Sequence, residues 1–137
     1  MKKIELSLIL ALLIAGCTTP PSQSITISYE TIEAPVQKNI SVTEAFSMIE
    51  KQNVTILDVR TQPETIRDRK IANSQLIPLQ VLGSQLDKID TSKPILVYCH
   101  TGNRSAVASN ILRGQGFNAI NVLGGINAWK ANGLPVE

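Results

Sequence analysis

The sequence predicts one α/β domain whose core is a parallel sheet of about five strands with helices on both faces. Short apolar runs rich in β-branched residues, typical of buried strands, alternate along the chain with segments of helical periodicity. These helical segments span about 8–12 residues, which suits the connections between parallel strands. The 137 residues are enough for one such domain and an N-terminal tail.

The predicted elements follow one another in a regular order. The first helix begins at Val42, because Ser41 and Glu44 form a capping box and apolar residues then recur at helical spacing. Strands are then predicted at residues 54–59, 75–79, 95–98 and 119–123, and helices at residues 62–69, 81–89, 105–114 and 126–131. The carboxyl ends of parallel strands form the edge of the sheet where ligands bind.

Residues 1–16 are predicted to be a cleaved export signal. A basic start at Lys2 and Lys3 precedes an apolar run at residues 6–15 that is too short to span a bilayer. This run ends in Leu13-Ile14-Ala15-Gly16-Cys17, which resembles the bacterial lipobox. The resemblance implies that Cys17 is lipidated and becomes the mature N-terminus. The alternative is an ordinary secretory signal that ends near a chance cysteine.

Residues 17–39 are predicted to form the lipidated N-terminus and a flexible tether, and residues 40–137 the folded domain. The tether is polar and contains Pro20, Pro21 and Pro35. Apolar and polar residues alternate at positions 25–29, so an edge strand and an extended tether are both open there. We expect an exported protein anchored by lipid to a bacterial membrane. Thr18 is not the Asp that signals inner-membrane retention, so in a cell with two membranes we expect the periplasmic side of the outer membrane.

Charge and cysteine content narrow the classes of function. The chain has 13 Lys and Arg against 11 Asp and Glu, and removing the export signal leaves 11 against 10. No basic block or aromatic–basic pattern indicates nucleic-acid binding. The single His and two Cys cannot build a common structural zinc site. If Cys17 carries lipid, Cys99 has no partner for an intramolecular disulfide, which favours a thiol with a chemical role.

The stretch around Cys99 carries the strongest functional signal. Cys99 ends the apolar run 95–98, and His100, Thr101, Gly102 and Asn103 separate it from Arg104. Unpaired N–H groups at the start of the following helix and the helix dipole favour an anion there, and this lowers the pKa of a thiol. The alternative is an inert cysteine buried at the end of a strand.

Three motifs stand in order along residues 40–137. They are Leu57-Asp58-Val59-Arg60 followed by Glu64, Cys99-His100-Thr101-Gly102-Asn103-Arg104-Ser105, and Gly124-Gly125-Ile126-Asn127-Ala128-Trp129 with Gly133-Leu134-Pro135-Val136. Together they make residues 40–137 resemble a single rhodanese domain. The resemblance implies a thiosulfate sulfurtransferase-like enzyme in which Cys99 takes a sulfane sulfur from an anionic donor and passes it to a thiol or cyanide. The implied reaction needs no metal or organic cofactor. We expect a monomer, with a thiol-redox partner that keeps Cys99 reduced or recharges it with sulfur.

By the same resemblance, the loop N–H groups of residues 100–105 hold the persulfide, and Arg104 attracts the donor. Ser105 is expected to cap the active-site helix, and its hydroxyl could also touch substrate. His100 is expected to tune the loop rather than act as a base. Two other functions stay open. Cysteine phosphatases have a loop one residue longer, and non-catalytic rhodanese-like modules usually lack the cysteine.

Asp58 and Arg60 are predicted to support the site from the end of the strand at 54–59. Asp58 is expected to accept backbone or Arg hydrogen bonds, because an unpaired buried carboxylate is costly. Arg60 and Glu64, four residues apart, are expected to pair. The family often has Gly-His-Ile-x-Gly-Ala where this chain has Arg69-Lys70-Ile71-Ala72-Asn73-Ser74. Two interpretations are open for the cations Arg67, Arg69 and Lys70. They could attract anions to the site, or, as the favoured interpretation, they form a solvated charged face.

Overall fold

The computed structural model describes residues 38–51 and 53–137. In these ranges the chain forms a parallel sheet of five strands in the order β1-β5-β4-β2-β3, which confirms the predicted fold class. The strands are β1 (Asn39–Ile40), β2 (Thr55–Asp58), β3 (Gln75–Leu76), β4 (Ile95–Tyr98) and β5 (Ala119–Val122). The helices are α1 (Val42–Glu50), α2 (Gln62–Asp68), α3 (Asn103–Gly114) and α4 (Gly125–Ala131).

The predicted export signal, Cys17 and the alternating segment at 25–29 lie outside the described residues. Strand β1 lies at the predicted boundary between tether and domain. Asn39, the last residue of the predicted tether, pairs with Asn121 at the edge of the sheet. No helix in the part of the chain that the structure describes is long and apolar enough to cross a membrane.

Strand β4 is the centre of the sheet and is buried on both faces. Its alternate side chains enter two separate hydrophobic clusters, as the two-residue period of a strand requires. Val97 packs under α3 with Ala108 and Leu112. Tyr98 packs on the opposite face, in the cluster that contains Val42 of α1 and Trp129 of α4. Helices therefore cover both faces, as predicted.

The strand order creates a crevice between the carboxyl ends of β4 and β2. From β2 the chain runs to β3 on one side of the sheet, and from β4 it runs to β5 on the other side. The connections after these two neighbouring strands therefore diverge, and such a switch point is where open α/β sheets bind ligands. Cys99 follows β4 directly, so it lies at this crevice.

Two helix predictions were wrong in part. The segment at 81–89 is not an α-helix but two 3₁₀ stretches, Leu79–Ser84 and Leu86–Lys88. Gly83 is a poor helix former, and the Ser84 hydroxyl donates to the Val81 carbonyl, so an α-helix is not sustained through this point. The sequence also predicts that Val107, Ala108, Ile111 and Leu112 form one apolar stripe on α3. This stripe is split, because Ala108 and Leu112 are buried whereas Val107 is 50% exposed.

Helix α3 begins at Asn103, two residues before the predicted start. Its N-cap is Gly102, whose φ of 100° is a conformation that only glycine adopts readily. Arg104 and Ser105 therefore lie in the first turn of the helix. The predicted capping role of Ser105 is wrong. This residue lies inside the helix rather than at its N-cap, and its hydroxyl is not directed at the N–H groups that a cap would bind.

Candidate active site

The Cys99 sulfur accepts hydrogen bonds from the start of α3. The Gly102 N–H lies 3.1 Å from Cys99 Sγ, and the Ser105 hydroxyl lies 3.4 Å from it. Cys99 is only 1% exposed, so it forms the floor of the loop rather than part of the outer surface. Apolar side chains surround it from the sheet and α3, whereas the polar groups approach it from the loop.

These donors decide the ionisation of the thiol. Burial alone raises the pKa of Cys99, because it disfavours the charged form. The Ser105 hydroxyl and the backbone N–H groups of Ser105, Gly102 and Thr101 outweigh this effect, and the pKa of Cys99 lies below its usual value. A thiolate is the nucleophilic form of cysteine, so the loop favours reactivity. The inert-cysteine alternative does not account for donors directed at the sulfur.

The loop is held in place by the start of α4. The N–H of Ile126 donates to the Cys99 carbonyl over 2.9 Å, and that of Asn127 donates to the His100 carbonyl over 3.2 Å. This contact requires Gly125, where a Cβ would lie 2.3 Å from the Cys99 carbonyl oxygen. The sequence analysis includes Gly124 and Gly125 in the third family motif but does not predict that they position the cysteine loop.

Arg104 spans the crevice and pairs with Glu64 of α2. The Nη1 group of Arg104 donates to Glu64 Oε2 over 2.9 Å, and its Nη2 group donates to Oε1. Hydrogen bonding from Arg104, together with bonds from Thr61, holds the pKa of Glu64 far below its usual range despite partial burial. The predicted pair of Arg60 and Glu64 is wrong, because each residue binds a different partner.

Arg60 pairs with Asp58 in the buried interior, on the face of the sheet opposite the Cys99 side chain. Its Nη2 group lies 2.7 Å from Asp58 Oδ2, and both side chains are 0% exposed. The guanidinium lies over the Tyr98 ring, 5.4 Å from its centroid, and also donates to the Arg69 carbonyl. Asp58 thus accepts Arg hydrogen bonds as expected. The pair connects β2 to the segment after α2 and does not touch the sulfur.

The segment that departs from the family pattern has two left-handed residues. Asn73 has a φ of 60°, which its short polar side chain tolerates. Arg69 has φ 64° and ψ 178°, a combination otherwise nearly restricted to glycine. Among the neighbouring cations, Arg67 pairs with Asp68 and Lys70 pairs with Glu137. These pairs favour the interpretation of a solvated charged face.

The other loop residues face outward to different degrees. Thr101 and Asn103 are exposed, and Gly102 is buried against the Gly124 turn. His100 Nδ1 lies 3.8 Å from Asp68 Oδ2, so the imidazole faces α2. No hydrogen bond joins His100 to Cys99 among the described residues, which agrees with a loop-tuning role rather than a Cys–His dyad. Trp129 is buried, and its indole N–H donates to the Pro135 carbonyl.

Comparison with known proteins now identifies the family. The family model described as Rhodanese-like domain matches residues 41–132. The chain belongs to the rhodanese-like domain family. A curated relative, thiosulfate sulfurtransferase GlpE of Coxiella burnetii, is 35% identical over 96 residues, covering 69% of this chain and 89% of the relative. A sulfurtransferase of Allochromatium vinosum is 30% identical over 90 residues, covering 65% and 83%.

A solved structure has the same fold. The crystal structure of a rhodanese-related protein from Thermoplasma volcanium superposes on this rhodanese domain with a TM-score of 0.69 and 36% identity, covering 73% of this chain and 97% of that one. The fold and the predicted family resemblance are thereby confirmed. The names of the curated relatives support a rhodanese-type sulfurtransferase at the level of the family.

Proposed function

We propose that this rhodanese domain moves a sulfane sulfur from a thiosulfate-like donor to a thiol or cyanide through a persulfide on Cys99. The observation that carries the proposal is the Cys99 sulfur beneath donors from Gly102 and Ser105, with a lowered pKa. The thiolate attacks the outer sulfur of thiosulfate, an S–S bond forms, and the bond to the sulfonate sulfur breaks. Sulfite leaves with the electron pair of that bond.

The second half-reaction regenerates the thiolate. Cyanide attacks the outer persulfide sulfur, takes it as thiocyanate and returns the electron pair to Cys99. A thiolate acceptor would form its own persulfide in the same way. The loop N–H groups already face Sγ, and the same donors are suited to the negative charge of the persulfide. Arg104, at the entrance of the loop, supplies N–H groups that can bind the oxygens of an anionic donor.

The loop separates this proposal from the two other functions. Four residues lie between Cys99 and Arg104, one fewer than in cysteine phosphatases, and a narrower ring of N–H groups favours a single sulfur over a phosphate. A non-catalytic module has no use for a sulfur whose pKa is lowered by four separate contacts. Neither alternative explains the combination of a short loop and an activated thiol.

Thiocyanate formation from thiosulfate and cyanide tests the proposal. We expect turnover by the wild-type domain and none by Cys99→Ser, whose fold is checked by circular dichroism. Ser109→Ala is the matched control: it also changes one buried side chain, in α3, but the Ser109 hydroxyl has no hydrogen-bond partner among the described residues and so makes no hydrogen bond to the sulfur. Residual turnover by Cys99→Ser would refute the assignment, as would hydrolysis of an aryl phosphate in the absence of thiocyanate formation.

We also propose that Cys17 carries a lipid that holds the domain at a bacterial membrane. The support is the sequence Leu13-Ile14-Ala15-Gly16-Cys17 after a short apolar run. Expression of the full chain in a bacterium tests this. We expect the wild type in the membrane fraction and Cys17→Ser in the soluble fraction. If Cys17→Ser stays with the membrane after a salt wash, lipid anchoring at this residue is wrong.

A further inference from the structure

We propose that Glu64 sets the charge preference of the site, so that the wild-type domain disfavours dianionic donors relative to monoanionic ones. The inference rests on the proposed function, because it concerns the donor that reacts with Cys99. It arises from one contact that the sequence pattern did not predict: the arginine expected to attract anions is already paired with a carboxylate.

Additional hydrogen bonds hold Glu64 in place beside Arg104 in the folded protein. Glu64 Oε2 accepts the Thr61 N–H over 2.9 Å and the Thr61 hydroxyl over 2.7 Å, in addition to its bond from Arg104. The carboxylate is therefore fixed at the start of α2 and cannot swing away without opening the cap. Its side chain is 18% exposed and that of Arg104 is 32% exposed. Because its pKa is held far below the usual range, Glu64 is charged throughout neutral pH.

This contact changes the net charge that a donor meets. The Cys99 thiolate and Glu64 each carry one negative charge, and Arg104 carries one positive charge. The three groups sum to one negative charge, where the thiolate and Arg104 alone would sum to zero. The neighbouring cation of α2 does not restore the balance, because Arg67 pairs with Asp68. Two ion pairs at this side of the loop, Arg104 with Glu64 and Arg67 with Asp68, are thus each internally compensated.

Arg104 keeps donors for the substrate in this arrangement. A guanidinium has five N–H groups, and the contacts with Glu64 use only the ends of Nη1 and Nη2. Hydrogen bonding to Glu64 is the main cause that raises the pKa of Arg104, and the Cys99 charge raises it further, which agrees with a guanidinium near the sulfur. The Glu64 carboxylate therefore orients the Arg104 guanidinium and at the same time cancels its charge. Glu64 is a positioning residue that acts on the donor through Arg104.

Glu64→Gln removes the charge and keeps a side chain that completes a capping box. If the lost charge lies about 7 Å from the donor at an effective dielectric constant of about 70, thiosulfate gains about tenfold in kcat/KM. A monoanionic donor gains about threefold, because the interaction scales with donor charge. An alkyl thiosulfonate anion is a suitable monoanion: the thiolate attacks its outer sulfur and a sulfinate leaves with the electron pair.

Glu44→Gln is a matched control that the chain itself provides. Glu44 occupies the same position in the capping box of α1, where its Oε2 accepts the Ser41 N–H over 2.8 Å and the Ser41 hydroxyl over 2.7 Å. These two distances closely match those of Glu64 with Thr61. Glu44 has no arginine partner in the described residues. Both substitutions therefore make the same chemical change in a capping box of similar geometry, but only Glu64→Gln removes the charge next to Arg104.

The experiment measures kcat/KM for thiosulfate and for the thiosulfonate at saturating cyanide, for the wild type, Glu64→Gln and Glu44→Gln. We expect the thiosulfate-to-thiosulfonate ratio to rise about threefold in Glu64→Gln and to stay constant in Glu44→Gln. An unchanged or lower ratio in Glu64→Gln would overturn the inference, as would an equal rise in Glu44→Gln. If the wild type transfers sulfur from neither donor, the proposed function fails instead, so the two failures are distinguishable.

Discussion

The hydroxyl of Ser105 offers the most direct test of how the loop activates Cys99. Ser105→Ala removes one donor to the sulfur, at 3.4 Å, and leaves the Gly102 N–H in place at 3.1 Å. A hydrogen bond to a charged group contributes about 1.5–3 kcal/mol. The Ser105 hydroxyl also donates to the Gly102 carbonyl, and it has one hydrogen to share between the two acceptors. We therefore expect the lower part of that range.

A loss of about 1.5 kcal/mol, the lower end of that range, corresponds to a rise of about 1.1 in the pKa of Cys99. The sign follows from the contact: the hydroxyl stabilises the thiolate, so its removal favours the protonated form. The rate of alkylation by iodoacetamide as a function of pH reports this pKa. We expect the midpoint of Ser105→Ala to lie above that of the wild type, and the acid limb of sulfur transfer to move with it.

Ser109→Ala is the control for this prediction. Ser109 lies one turn further along α3 and is equally buried, but its hydroxyl has no partner in the described part of the chain. Its removal should leave the alkylation midpoint unchanged. If the two alanine variants titrate together at the wild-type midpoint, the Ser105 hydroxyl does not stabilise the thiolate. The hydrogen-bond account of the lowered pKa would then be refuted.

Three further substitutions test how the site is held. Gly125→Ala should abolish sulfur transfer and lower the free energy of unfolding by about 3 kcal/mol, because the new Cβ overlaps the cysteine loop. Arg69→Gly should raise that free energy by about 1 kcal/mol in urea unfolding, because it relieves a strained backbone. Asp58→Asn should lower the free energy of unfolding by about 3–5 kcal/mol, because the buried Arg60 charge loses its partner. The pKa of Cys99 should stay constant in this variant.

Controls for these changes exist in the same chain. Gly114→Ala places a Cβ where no atom lies within 4 Å, so it should leave activity unchanged and, because alanine favours a helix over glycine, should not lower stability. Asn73→Gly should stabilise less than Arg69→Gly, because asparagine tolerates a positive φ better than arginine. Equal effects of the two glycine substitutions in urea would show that Arg69 is not strained. A large shift in the Cys99 alkylation midpoint in Asp58→Asn would contradict the separation of the two sheet faces.

Local patterns were sufficient to predict most of the fold. The apolar run of β4, the cysteine after it and the glycines of the loop each depend on residues close in sequence. The capping box of α1 is likewise a short-range signal, and both of its hydrogen bonds are present. Strand β1 has only two residues, which is too short for a periodic signal. The segment at 81–89 has the spacing of an α-helix but is interrupted at Gly83 and Ser84.

The pairing of charges could not be predicted from sequence spacing. The rule for residues four apart on a helix favoured Arg60 with Glu64. Arg60 precedes α2, however, and turns into the core toward Asp58 and the Tyr98 ring. Glu64 therefore pairs with Arg104, which is forty positions further along the chain. The two residues come close only because β4 and β2 are neighbours at the switch point of the sheet. The electrostatics of the site are therefore a property of the topology rather than of any one motif.

Mass spectrometry of the purified domain after exposure to thiosulfate tests the central claim most directly. The account predicts a gain of one sulfur atom, located on the peptide that contains Cys99, and its loss on addition of cyanide. Cys99→Ser should show no gain under the same conditions. A wild-type protein that stays unmodified, or a sulfur found on another residue, would contradict the proposal that the loop after β4 holds a persulfide.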